Sequence, residues 1–190
     1  MNTEYDDSTH SYSMDGRPVP SVTQILQAAG LYDDRFFTEA ARQRGTFIHK
    51  ALLFLLQDDL VEDSVPDEYK GYISAFKRFM AEADCIPDIE KCEVPLFSEI
   101  WRYGGTPDLP CSLNGKDALI DVKSGTESPV TGIQLAAYSQ LFIPRAPWRY
   151  GLYLKADGKY KLVEYKDRND IKIFNAALSL YHFREKEGLL

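Results

Sequence analysis

The sequence predicts a mixed α/β protein, with a central mixed β-sheet flanked by helices and a helical N-terminal cap. Three observations predict it. Apolar residues recur at helical spacing through most of the first half, short strand-like segments with turn dipeptides follow Pro87, and the chain closes as helix, strand, strand, helix. The 190 residues suit one domain, with residues 1–86 supplying a hairpin and helices and residues 87–190 the sheet core. A domain near this size buries roughly 70% of its unfolded-chain surface, so packing requires neither a disulfide framework nor a structural metal.

The elements follow in order. Asp15-Gly16, between Tyr12 and Val19, predicts a hairpin over Ser11–Pro20. Ser21 stands where an N-cap belongs, ahead of Ile25, Leu26 and Ala29, and Gly30 ends that helix. A helix is expected from Arg35 to about Arg44. Another is expected from about Thr46 through Leu56, apolar nearly all round and therefore buried. Pro66 opens an amphipathic helix carrying Tyr69, Tyr72, Ile73, Phe76 and Phe79. Residues Ile89–Ile100, Arg102–Leu109 and Ala118–Lys123 read as three strands, with Asn114-Gly115 turning between the last two. A helix over Pro129–Phe142, strands over Tyr150–Lys155 and Tyr160–Lys166 joined by Asp157-Gly158, and a helix over Asn169–Lys186 complete the chain.

Composition narrows the function classes. With 22 basic against 29 acidic residues the net charge is −7, which argues against coating duplex DNA by bulk positive charge. It leaves room for a nucleic-acid enzyme, because a divalent-metal site needs carboxylates of its own. Three cysteines without a C-x-x-C pair read as thiols in a reducing compartment, not as zinc or iron–sulfur ligands. No apolar run approaches the roughly 20 residues of a membrane span. The polar, acidic segment Met1–His10 resembles neither a secretory signal nor a transit peptide. The expectation is a cytoplasmic protein without a membrane partner.

The informative chemistry lies in Gly104-Gly105-Thr106-Pro107-Asp108 and Leu119-Ile120-Asp121-Val122-Lys123. Side chains alternate along a strand, so Asp121 and Lys123 share one face and Val122 takes the other. If the Asn114-Gly115 turn pairs the two segments, Asp108 comes alongside them. Two carboxylates and an ammonium then converge at one end of the sheet, and carboxylate oxygens are the ligands Mg²⁺ favours. Alone, Asp121 and Lys123 would be an ordinary solvated ion pair. The apolar run around them argues instead for a buried strand, where unpaired charge is costly.

Pro107-Asp108 with Asp121-Val122-Lys123 resembles the signature of the PD-(D/E)XK nuclease superfamily. The likeness is closest to the branch with RecB nuclease domains, phage-type exonucleases and the mitochondrial genome-maintenance exonucleases. Arg44-Gly45-Thr46-Phe47-Ile48-His49 resembles that branch's Arg-Gly-x-x-x-His motif, whose histidine is a metal ligand. Glu93 lies where the branch has a strand glutamate near the metal. Gln134-Leu135-Ala136-Ala137-Tyr138 resembles a Gln-x-x-x-Tyr motif that supports the site and contacts nucleic acid. Pro20-Ser21-Val22-Thr23-Gln24-Ile25-Leu26 resembles an N-terminal segment of the phage-like and mitochondrial members.

The resemblance implies a restriction-endonuclease-like core and a Mg²⁺- or Mn²⁺-dependent deoxyribonuclease. Such an enzyme would be an exonuclease on single-stranded DNA or free ends, in recombination, repair or phage DNA processing, with a separate recombination or helicase protein as partner. It implies Asp108, Asp121 and Lys123 as catalytic residues. His49, Asp108, Asp121, the Val122 carbonyl and Glu93 are the implied metal shell, and Gln134, Tyr138, Arg44, Ser21 and Thr23 the supporting or DNA-binding groups. Relatives that carry an iron–sulfur cluster have four cysteines; three with different spacing imply none here. A non-catalytic nucleic-acid-binding or assembly module, or a structure-specific endonuclease, would share the architecture. By their own chemistry His49 also fits a core histidine, Glu93 a solvated glutamate, and Ser21 a plain N-cap. The lack of a side chain at Gly45, one turn before His49, would let the sheet or a substrate come close.

Overall fold

The computed structural model describes residues 2–32, 38–142 and 147–190. The chain opens with a small antiparallel sheet of β1 (Thr3–Asp6), β2 (Ser11–Met14) and β3 (Arg17–Val19). The expected hairpin is β2–β3, turned by Asp15 and Gly16 at φ +50° and +71°, the left-handed pair that matches strand twist. The sequence pattern does not announce β1. Its polar residues alternate weakly, and it forms by pairing, with Tyr5 opposite Tyr12.

Helix α1 (Val22–Ala28) starts at a capping box: Ser21 Oγ accepts from the Gln24 N–H, and Gln24 Oε1 accepts from the Ser21 N–H. Two orphan helix donors are thereby satisfied. The two helices expected over 35–44 and 46–56 are one helix where they are described, α2 (Glu39–Leu56); residues 35–37 lie outside the described residues. Gly45 sits inside α2 at a cost of about 1 kcal/mol relative to Ala, which the strong helix formers around it absorb. A Cβ there would meet nothing within 4 Å, so the sheet does not approach this point. Nor is the second half of α2 wholly buried: Ile48, Ala51 and Leu52 are inside, while Phe54 is exposed. Pro66 precedes α3 (Asp67–Glu82), which buries Tyr72, Ile73, Phe76 and Phe79 as one stripe.

The central sheet has the order β10-β9-β8-β7-β4, from β4 (Cys85–Pro87), β7 (Leu109–Leu113), β8 (Lys116–Lys123), β9 (Trp148–Leu154) and β10 (Tyr160–Glu164). It is mixed. The β8–β9 pair is parallel, joined across α4 (Pro129–Ser139), and the other pairs are antiparallel. Asn114 and Gly115, both at positive φ, turn β7 into β8 as expected. Helix α5 (Asp170–Lys186) closes the chain. Ala118, Ile120 and Val122 of β8 join α2 and α3 in one core, whereas Leu119 joins α1, α4 and α5 in another. The first core mixes residues from both halves of the chain, and β4 enters the sheet from the N-terminal half.

Two strand expectations need correction. Ile89–Ile100 is not a strand. It holds a 3₁₀ turn at Ile89–Lys91, an irregular passage through Glu93 at φ +54°, and the short β5 (Leu96–Ser98). Arg102–Leu109 holds only β6 (Tyr103–Gly105), paired with β5, and β7 begins at Leu109. Pro95 and Pro107 lack the N–H a ladder needs, which is the physical reason both runs break. Consequently Glu93 and Asp108 lie just outside strands, not within them. Among the described residues, no helix is long and apolar enough to cross a membrane. Cys85, Cys92 and Cys111 are buried free thiols.

Candidate metal centre

The site forms where β7 and β8 end together. Their last rung pairs Leu109 with Ile120, so continuation of the register sets Asp108 beside Asp121. The alternation of β8 holds: Val122 faces the α2–α3 core, and Asp121 lies on the opposite face with Leu119. Beyond the last rung the Asp108 side chain takes over from the ladder, Oδ2 accepting from the Val122 N–H at 2.6 Å.

Helix α2 brings His49 to the same strand end. Its Nε2 lies 3.0 Å from the Val122 carbonyl oxygen, and its Nδ1 lies 3.0 Å from Glu93 Oε1 and 3.6 Å from Asp108 Oδ1. Glu93 reaches this position from a left-handed backbone, with its N–H bonded to the Pro107 carbonyl. Such a conformation is strained for a non-glycine residue, and strain of this kind collects at functional sites. Ligand atoms of His49, Glu93 and Asp108 all lie within 4.8 Å of one another. The three line a cavity of about 20 Å³ floored by Leu52, Leu56, Phe76 and Leu109. That volume is the scale of one water-sized occupant.

On the other face of β8, Lys123 Nζ lies 2.8 Å from Asp121 Oδ2 and donates to Gln134 Oε1 at 3.2 Å. The Gln134 oxygen also accepts from the Tyr32 hydroxyl at 2.7 Å, and its Nε2 donates to the Tyr138 hydroxyl at 3.1 Å. The Gln134–Tyr138 pair thus packs inside α4 as a buried brace for Lys123. Asp121 is 2% exposed, yet among the described residues neither carboxylate oxygen has a partner in hydrogen-bond geometry, and Lys123 meets it as an ion pair. An under-satisfied buried carboxylate is costly. The ligand atoms that cluster are those of His49, Glu93 and Asp108, a donor set suited to a divalent cation, and the Asp121 carboxylate adjoins them.

The electrostatics agree. Burial works against a charge on His49, but the Asp108 and Glu93 carboxylates outweigh it and raise the imidazole from 6.5 to about 9. Without a metal it is at neutral pH an imidazolium donating to Glu93 and Val122, and it offers a ring nitrogen to a cation only on giving up a proton. Burial pushes Asp121 up to about 6, with Lys123 pulling it back and Asp108 pushing it further. Burial also raises Asp108, against the pull of His49. Lys123 is held above the ordinary lysine value: burial opposes its charge, and Asp121, Tyr32 and Asp108 overcome that. It is an ammonium at neutral pH, so it can donate a proton but not accept one.

No protein-family model matches the chain, and no curated protein matches it in sequence. The site therefore stands on its own geometry.

Of the sequence-expected metal shell, His49, Glu93 and Asp108 come together. Asp121 adjoins them but is turned to Lys123, and the Val122 carbonyl faces His49. Arg44 Nε lies 3.4 Å from Ser124 Oγ, just past β8, and so stays near the site. Ser21 is a plain N-cap, its oxygen committed to Gln24. Thr23 is exposed on the wall of a second, larger pocket. Other basic side chains on α2 and α3 are tied up in surface ion pairs: Arg42, Lys77 and Arg78 are paired with Glu39, Glu62 and Glu82. Sequence reasoning missed Tyr32, whose contact with Gln134 spans 102 positions and leaves no local signature.

Proposed function

We propose that the chain is a Mg²⁺- or Mn²⁺-dependent deoxyribonuclease with a restriction-endonuclease-like core, acting as an exonuclease on single-stranded ends. One observation carries the reading: a histidine, a glutamate and an aspartate from three separate segments meet at the end of β7 and β8, beside a buried Asp–Lys pair. His49, Glu93 and Asp108 would hold the ion, with Asp121 supplying the remaining carboxylate. When bound, a divalent cation polarises a phosphoryl oxygen and lowers the pKa of water.

The protein groups perform the rest. Asp108, fixed by the Val122 N–H, keeps its other oxygen toward the ligand set. Lys123, braced by Gln134, presents a permanent ammonium at the substrate side, where negative charge builds on the phosphate during attack. The Leu52, Phe76 and Leu109 floor keeps bulk water from one side. The net charge of −7 leaves single-strand binding to local groups near the site, among them Arg44.

The test is an end-labelled single-stranded oligonucleotide incubated with the protein and Mg²⁺, Mn²⁺ or chelator, with a circular strand in parallel. Degradation of the linear strand that needs the metal and is lost in Asp108→Ala is expected. Binding of DNA without any metal-dependent cleavage, or cleavage that survives Asp108→Ala, overturns the assignment.

A further inference from the structure

A second pocket of about 350 Å³ opens between the N-terminal sheet, the start of α1, β6 and α4. Its walls are Tyr5, Tyr12 and His10, its rim Thr9, Thr23 and Gln24, and its floor Gly105 and Tyr138. A Cβ at Gly105 would come within 2.8 Å of the Tyr138 ring, and one at Gly104 within 2.1 Å of the Tyr12 ring. The two glycines are thus what lets β6 lie flat against both aromatics.

The rings are held in place. Tyr12 Oη lies 2.6 Å from Thr106 Oγ1 and Tyr5 Oη 2.7 Å from His10 Nδ1, and the Tyr5 and Tyr12 centroids are 4.9 Å apart at 50°.

The pocket adjoins the metal centre. Thr106 lies two residues before Asp108, and Tyr138 is one hydrogen bond from Gln134, which holds Lys123.

Among the described residues, no lysine or arginine lines it. They offer a phosphate no lysine or arginine counter-charge, whereas a flat, uncharged group with hydrogen-bonding edges finds aromatic walls and a polar rim. The volume lies at the low end of the roughly 300–1,000 Å³ typical of small-ligand sites, the scale of one nucleoside.

We infer that this pocket receives one nucleobase with its sugar from the strand, stacked on Tyr5 and His10, while the neighbouring phosphate lies at the metal centre. The inference rests on the nuclease reading for its ligand class. It assigns Tyr5, His10 and Tyr12 a binding role that neither the metal centre nor its brace requires.

The test measures anisotropy of a fluorescein-labelled single-stranded decamer with the full chain in Ca²⁺, moving a single abasic position along the strand. With the wild type, one abasic position is expected to weaken binding about tenfold, the scale of one base–aromatic stack. Tyr5→Ala should lose about as much on the intact strand and show no further abasic penalty at that position. His10→Asn keeps a residue suited to φ +50° and leaves the Tyr5–Tyr12 pairing intact, so it reports on the pocket if Tyr5→Ala unfolds the edge strand. It should weaken binding about threefold and reduce the penalty.

No abasic penalty at any position, or an undiminished penalty in both variants, overturns the pocket. A decamer cut by Mn²⁺ without that penalty rejects the pocket and leaves the nuclease. A decamer bound with the penalty but never cut keeps the pocket and rejects the nuclease. Neither binding nor cutting rejects both.

Discussion

His49 Nδ1 and Asp108 Oδ1 lie 3.6 Å apart across the end of β8, and both side chains are anchored to the backbone of Val122. Asp108 accepts from the Val122 N–H, and His49 Nε2 contacts the Val122 carbonyl. A helix residue and a loop residue are thereby registered on one strand residue, so their separation is set by β8 and not by the loops that deliver them.

Calorimetry with Mn²⁺ should find one site in the wild type. Asp108→Ala should abolish it. His49→Ala should weaken it by more than the roughly 10–100-fold that metal sites lose when a group merely supporting a ligand is removed. Binding unchanged in both variants would place the ion elsewhere.

The metal-free protein should lose stability as pH rises through the His49 transition. Its pKa is raised from 6.5 to about 9 in the fold, so the imidazolium's contribution is fully present below pH 6.5 and lost as pH rises through about 9. Asp121, raised to about 6, acts with the same sign in a lower window, between about 3.8 and 6. Urea midpoints at pH 6.5 and 9.5 check the first window: a fall in the wild type that is absent in His49→Gln is expected, and equal falls would contradict it.

Removing Lys123 should expose the cost of its partner. Lys123→Ala leaves the buried Asp121 carboxylate without compensation, a loss of about 3–5 kcal/mol for a broken buried pair. Adding Asp121→Asn should restore part of it. Denaturant unfolding of the single and double variants checks this, and additive losses would show that the two charges do not interact.

Two glycines should respond oppositely. Gly45→Ala, in open space within α2, should stabilise by about 0.5–1 kcal/mol. Gly104→Ala would drive a methyl into the Tyr12 ring and should cost about 1–3 kcal/mol. Thermal unfolding distinguishes them by sign.

Much of this site is legible in short stretches of sequence. The Asn114-Gly115 turn, the alternation through Asp121 and Lys123, and the apolar run around them are local patterns, and each sets geometry directly. The Gln134–Tyr138 spacing likewise dictates one helix face. What escapes the sequence is long-range or irregular. Glu93 reads as a strand residue by composition, yet it works from a left-handed turn whose N–H is held by Pro107. Gly45 reads as a break between helices, although α2 runs through it. Strand β1 and the aromatic pocket it helps wall depend on pairings beyond local sequence, Tyr5 with Tyr12 and Tyr12 with Thr106 across 94 positions.

The most direct measurement is an anomalous-difference map from crystals of the wild type soaked with Mn²⁺. One peak bounded by His49, Glu93 and Asp108, with the Asp121 carboxylate alongside and no peak in Asp108→Ala crystals, is expected. Saturating Mn²⁺ that leaves this end of the sheet without density, or that orders only at surface carboxylates, would contradict a cation site here and the hydrolytic chemistry built on it.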